Sequence, residues 1–497
     1  MSEDVDPNAD GAGRNDGDTR TERPAEGTAG CPFHQRGEEN AEATGSVDDG
    51  RVGGRGLADR AMERRSFMRS ALAIGGTSAL AAVGGCVTDA GTATESDSAP
   101  LEVPRGPSDP SEFPERQHAW ARDLKTDPFG NGVLPAHQLI LLLEYAGGIP
   151  PTADERETVE GAFRTLELAF QRLTGGDHDA DNEGLVFMVG YSPTYFERFD
   201  DDLHPSVGLE TPESVLRKTG DDPAKADHHD AVVLLSSDNV PVLLAAEEAL
   251  FGGLDSLNGV DVRGTLGGSF EKVERRTAFT GKGLPREKLD NEDIHEDAPL
   301  SMGYKSGFGD NLATEDAVTI GDGPFAAGTT FQVSKLRLDL GRWYERDRET
   351  RDELMFSHEH TREDVGDIGE SLEDDSGITE EVVDDLEATA RERGRVGHAA
   401  KTAQARDDDF EPLILRRSEG VNDAFDEDGK VDFNFTAVMA EMADFVETRE
   451  AMNGAELEGE LDDDGDGILP FMEVTNRATF LLPPRGRRSL PRPRPGD

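Results

Sequence analysis

Two hydrophobic periods alternate along the chain from about Glu115 onward. An unbroken apolar run, Leu139-Ile-Leu-Leu-Leu143 within His137–Tyr145, predicts a buried strand. Thr152-Ala-Asp-Glu155 has the form of a capping box. Behind it, Val159, Phe163, Leu166, Phe170 and Leu173 keep helical spacing up to the stop Gly175-Gly176. Further strands are predicted at 184–191, 231–235, 329–340, 431–435 and 479–482, with helices at 193–199 and 240–251. In 329–340 the alternation changes phase between Phe331/Val333 and Leu336/Leu338/Leu340, which predicts a bulge. Val438, Met439, Met442, Phe445 and Val446 mark a helix that ends at Asn453-Gly454. The stretches DAVVLLSSDNVPVLLAAEEALFGG and KVDFNFTAVMAEMADFVETREAMNG read as two copies of one strand–helix unit. The expected fold class is therefore α+β: tandem ferredoxin-like halves of the dimeric α+β barrel type, with antiparallel sheets covered by helices on one face. The halves are placed at 111–290 and 291–497. Residues 365–393 read as an acidic helical insertion, either a solvated helix or a lid.

Composition changes this picture in one respect. Of 497 residues, 104 are acidic and 51 basic, a formal net charge of −53, and Arg outnumbers Lys 41 to 10. Such a field repels phosphate backbones and anionic lipid headgroups, which excludes nucleic-acid binding and basic docking on a membrane. An acid-rich, Lys-poor coat fits a protein kept soluble in high salt, and a halophilic source is expected.

Ahead of the periodic part the chain has a different character. Residues 1–61 lack periodicity and read as a disordered acidic leader, within which Cys31 and His34 have no partners for a metal site. Residues 62–86 carry Arg64-Arg65-Ser66-Phe67, a weakly apolar run from Ala71 to Val83, and Gly84-Gly85-Cys86. That order resembles a twin-arginine export signal closed by a lipobox. It implies passage through the twin-arginine translocase and a lipid on Cys86 as the membrane contact, at the extracellular face of the cell membrane. Stable anchoring then needs more than one acyl chain. Met62 rather than Met1 is an alternative start. Residues 87–110, rich in Thr, Ser, Asp and Pro, read as a flexible tether.

No Ser elbow, P-loop or HExxH occurs. Five segments instead carry a resemblance: ERQHAWARDLKTDPFG (115–130), PLSMGYKSGFGDN (299–311), GPFAAGTTFQVSKLRLDLGRW (323–343), GHAAKTAQARDDDFEPLILRRS (397–418) and VDFNFTAVMAEMADFVETREAMNG (431–454). Their order resembles that of dye-decolorising peroxidases, haem proteins built from two ferredoxin-like halves, over roughly residues 112–490. The chain is similar to a haloarchaeal-type, twin-arginine-exported member with a variant distal motif.

The resemblance implies haem b, with hydrogen peroxide and a reducing substrate as partners. It makes His398 the proximal haem ligand and Arg416, in Leu413-Ile-Leu-Arg416, the distal arginine. A neutral imidazole binds iron, and an acceptor on its second N–H sharpens its basicity. A fixed distal cation stabilises peroxide anion and the charge that develops as its O–O bond breaks. The family's distal Gly-x-x-Asp-Gly aligns with Gly303-Tyr304-Lys305-Ser306-Gly307 and so puts Ser306 at the position of the proton-moving Asp. A serine only orients water there; Asp310, four residues on, is the rival base. His358 and His360 are alternative ligands, expected in a solvated loop. Phe433 reads as sheet core or as distal pocket wall. Arg417 is expected at the surface or against a porphyrin carboxylate, and Asp339 and Trp343 in turn formation and packing. Independently, Asp462, Asp464, Asp466, Gly467 and Glu473 match a twelve-residue calcium loop, although Pro470 and Phe471 interrupt it. The function expected is that of a peroxide-reducing haem enzyme, the alternatives being a non-catalytic haem-binding or calcium-binding surface lipoprotein.

Overall fold

The computed structural model describes residues 103–173, 181–407, 409–421, 425–457 and 459–496. The leader, the export signal with Cys86, and the first part of the tether lie outside the described residues. Ordered chain begins earlier than the tether's expected end: Gly106 N donates to Leu168 O at 3.2 Å, and the carbonyl of Val103 accepts from Asn258 Nδ2 at 2.9 Å.

The first half runs β1 (His137–Tyr145), α1 (Ala153–Ala169), β2 (Val186–Tyr191), β3 (Ala231–Ser237), α2 (Val240–Phe251), β4 (Phe270–Phe279). The second runs β5 (Thr329–Asp339), α3 (Arg348–Met355), α4 (His398–Thr402), β6 (Leu415–Val421), β7 (Lys430–Met439), α5 (Met442–Asn453), β8 (Met472–Leu482), with short helices between β5 and β6. All eight strands form one antiparallel sheet in the order β6-β7-β5-β8-β2-β3-β1-β4. Within each half the order is second, third, first, fourth strand, which is the ferredoxin-like arrangement made twice. β6 also lies against β4 and β1, where Gln138 Nε2 donates to Arg417 O at 2.8 Å, so the sheet curls toward closure.

The curl creates three layers of core. Ile140 and Leu142 of β1 join Val186, Val232, Phe331, Val438 and Phe480 inside the curl. Leu139, Leu141 and Leu143 face outward under α1 and α2. Both faces of β1 are covered, which is why its apolar run is unbroken. The outer face of the second half carries Leu336, Leu338 and Phe433. Among the described residues no helix is long and apolar enough to cross a membrane.

Several expectations are corrected. β5 has no bulge against β7, whose register is continuous; the register shift lies in β8, between Val474 and Asn476. The phase change in β5 instead moves its apolar residues from the inner face (Phe331, Val333) to the outer one (Leu336, Leu338). α1 ends at Ala169, not at Gly175, because Phe170 is extended and Asn258 Nδ2 takes the Ala169 carbonyl at 2.7 Å. Val438 and Met439 belong to strand β7, and its helix starts only at Met442. The acidic insertion is more than a solvated helix: Ile378, Val382, Leu386 and Ala390 are buried against Ala400 and Ala403 of the α4 region.

Candidate functional site

α4 is held from three sides. Gly397 precedes it with no room for a side chain, since a Cβ there would lie 1.8 Å from the Phe356 carbonyl oxygen. Gly467, at φ +59°, packs against the His398 backbone from the opposite direction. Lys401, 1% exposed, forms an ion pair with Asp466. A buried charge of this kind is kept only with a partner, so the pair pins the helix to the loop before β8.

Pinned this way, His398 borders a cavity of about 270 Å³ between α4, α5 and the outer face of the second half-sheet. Its Nδ1 is buried and has no hydrogen-bond partner. Burial lowers the His398 pKa to about 3, helped by the positive charges of Lys401, Arg416 and Arg449. The ring is therefore a neutral imidazole at any physiological pH, the state in which a nitrogen lone pair binds metal. The expected acceptor on its second nitrogen is missing among the described residues, and Asp466, beside the helix, is engaged by Lys401.

The other walls are apolar and cationic. Leu336 and Leu338 of β5, Phe433 and Phe435 of β7, and Phe445 and Met452 of α5 supply the apolar surface. Lys305, Arg406, Arg416, Arg449 and Arg477 also line it, and among the described residues no Asp or Glu does. In a chain with 104 acidic residues this is a pronounced segregation of charge. Arg477 donates to Asp221 Oδ2 (2.8 Å) and Thr219 Oγ1 (2.7 Å), and burial lowers its pKa to about 10. Arg449 reaches Asp221 Oδ1 only at 3.5 Å, and its Nε and Nη1 are buried without partners. Arg406 spends its guanidinium on the carbonyls of Phe410 (3.0 Å) and Asp310 (3.3 Å). A cavity with unanswered donors, apolar walls and a neutral imidazole is built for an apolar anion with a ligatable centre.

The structure brings His398, Arg416, Ser306 and Phe433 to this one cavity. Ser306 Oγ is buried there without a partner. Ser306 also borders a neighbouring cavity of about 310 Å³, together with Ser301, Tyr304 and Lys305. Asp310 does not join them: it is exposed on the turn Gly309–Asn311 and outside the wall.

Arg417 is neither at the surface nor in the cavity. A register shift between Arg416 and Ser418 turns it into the curl, where it pairs with Glu315, donates to His118 O at 2.7 Å and lies over the Trp120 ring. His360 is no free ligand, with Nδ1 on Ser357 Oγ and Nε2 on Ser376 O, both at 2.8 Å, and neither it nor His358 lines the cavity. Asp339 caps the turn of Leu340–Tyr344, and Trp343 is buried with Nε1 on Met302 O, as expected.

The calcium loop does not form. Asp464 is paired with Arg342 and Arg346, Asp466 with Lys401, and Glu473 is already in β8 near Lys225. Among the described residues the three-ligand cluster that does converge is Asp227, His229 and Glu274, into which Arg276 already donates.

The sequence reading missed Arg406, Arg449 and Arg477. Arg449 carried a signal, since it continues the helical spacing of Phe445 and Met452 and so put a cation on an apolar face.

Comparison with known proteins adds a family. The family model described as "Family of unknown function (DUF7405)" matches residues 135–484. The chain belongs to that family. The match runs from β1 through β8, so both halves and the cavity belong to what defines DUF7405. No curated protein matches. Solved structures that resemble the chain include a dye-decolorizing protein from V. cholerae, at 12% identity and a TM-score of 0.44, covering 74% of this chain and 98% of that one. A dye-decolorizing peroxidase from Bacteroides thetaiotaomicron VPI-5482 gives 14%, 0.44 and the same coverage. A DypB variant from Rhodococcus jostii RHA1 in complex with heme gives 15% and 0.42, again over 74% and 98%.

Proposed function

We propose that the chain is a haem-binding oxidoreductase of the peroxidase type, with hydrogen peroxide and a reducing substrate as its partners. The observation that carries this reading is the cavity itself: a neutral, orphaned imidazole and a group of guanidinium groups in a wall without carboxylates. The residues fit the group. His398 would hold the iron, Arg449 would meet a propionate, and Phe433, Leu336 and Leu338 would face the porphyrin. Bound haem supplies the redox-active centre for peroxide reduction. This chain's own contribution is to orient peroxide at the Arg416 guanidinium and to stabilise its anion. Ser306 positions water or peroxide by hydrogen bonding but moves no proton at neutral pH.

That last point favours a second reading, a haem-binding protein of low turnover, since the wall offers no general base of carboxylate type. In both readings the chain is exported by the twin-arginine route and held by a lipid on Cys86 at the extracellular face of the membrane. A fold finished before export carries a cofactor across with it.

The test is an absorption spectrum of the purified chain after haem addition. A Soret band that is lost in His398→Ala supports haem ligation at His398; a band that survives in that variant refutes it. Arg416→Ala should keep the band and lose any peroxide turnover. Ser306→Asp should raise turnover if the chain is an enzyme limited by its missing base, and no turnover in either form leaves the binding reading standing.

A further inference from the structure

A separate cavity of about 620 Å³ opens on the other side of Met302 and Tyr304, which it shares with the His398 cavity as a common wall. Arg351, in the first turns of α3, lines it. It is 6% exposed, yet among the described residues its guanidinium has no hydrogen-bond or ion-pair partner, and it rests 4.8 Å over the Tyr344 ring. The other arginines of this wall are occupied. Arg348 bonds Asp352 Oδ1 at 2.7 Å and the carbonyls of Gly366 and Asp367. Arg362 holds Asp367, Arg346 holds Asp464, and Arg286 bonds the carbonyls of Glu292 and Ile294. Buried cations in folded proteins are paired, because desolvation without compensation is unfavourable. The Arg351 guanidinium, with its five planar donors, thus opens on the cavity with no anion of the described residues against it.

We infer that this cavity is a binding site for an aromatic monocarboxylate, whose carboxylate takes the fork of Arg351. A fork of two parallel N–H groups matches a carboxylate bidentately. The rings of Tyr304 and Tyr344, with Ile294 and Met302, supply the flat apolar surface for an aromatic body. Exposed Glu292, Asp293 and Glu296 at the same wall select against phosphate and other polyanions. The inference does not depend on what fills the His398 cavity.

The test is calorimetric titration of the full chain, without haem, with 4-hydroxybenzoate. Binding is expected, with no heat from neutral 4-hydroxybenzyl alcohol or from inorganic phosphate. Arg351→Met should weaken binding at least tenfold while circular dichroism stays unchanged. Should that variant fail to fold, Arg351→Lys keeps the charge, loses the fork and should weaken binding several-fold. Absence of 4-hydroxybenzoate binding to the unaltered chain overturns the proposal. So does equal affinity in the folded variant, or displacement of the ligand by phosphate.

Discussion

His118 shows at the scale of one residue how the interior sets protonation. It is fully buried, with Nε2 2.8 Å from Thr319 Oγ1 and Nδ1 without a partner. Burial, then the charge of Arg417, lowers its pKa to about 3. An unfolded imidazole takes its proton near pH 6.5, so between the two values the unfolded chain binds more protons. The stabilising effect is present above pH 6.5 and is lost as the pH falls toward 3. Each pH unit is worth about 1.4 kcal/mol, so about 2 kcal/mol goes by pH 5 from this one group. The haem-free His398 carries the same sign over the same range. The urea midpoint should therefore fall as the pH drops from 7 to 5. His118→Gln, which has no charge to gain, should reduce that slope. An unchanged slope would show that His118 takes up its proton at the same pH in the folded and unfolded chain.

At the scale of elements, Gly397 decides where α4 can sit. A methyl group there meets the backbone oxygen of Phe356 at 1.8 Å, and neither partner is a flexible side-chain tip. Gly397→Ala should cost on the order of 3 kcal/mol and displace His398 from the cavity wall. Thermal unfolding and haem titration check the two consequences; a variant as stable as the parent would mean α4 is free to shift. None of this was visible at Gly397 in the sequence, where the glycine stands in a polar Gly/Ala/Lys segment. His398 itself was legible only through the order of motifs, because what holds α4 in place, the packing of Ala400 and Ala403 on the insertion and the pairing of Lys401 with the distant Asp466, leaves no mark at the histidine. Local signals did better where the physics is local. The Thr152/Glu155 capping box forms both its bonds, and the unbroken run of β1 is buried on both faces. Spacing misled at Phe170 and Leu173, which keep a helical interval but follow the end of α1 in extended chain. Of the calcium motif's carboxylates, Asp464 and Asp466 are engaged by Arg342, Arg346 and Lys401, contacts that no local spacing announces.

For the whole molecule the governing quantity is the formal charge of −53, carried by a fold whose His398 cavity has lysine and arginine but, among the described residues, no Asp or Glu in its wall. Exposed carboxylates repel one another across the surface, and that repulsion is relieved when the chain expands. Screening shortens its range from about 10 Å at 0.1 M salt to about 3 Å at 1 M. The buried pairs that fix the site, Lys401–Asp466 and Arg477–Asp221, are shielded from solvent ions and change little. Salt should therefore stabilise the fold as a whole without loosening the cavity. The expected result is a urea midpoint that climbs steadily between about 0.1 M and 3 M KCl at constant m-value, by several kcal/mol in total. KCl and NaCl should act alike, since the effect is one of ionic strength. A flat response would mean that the acidic coat is locally neutralised by its 51 basic partners and that the net charge is no burden on the fold.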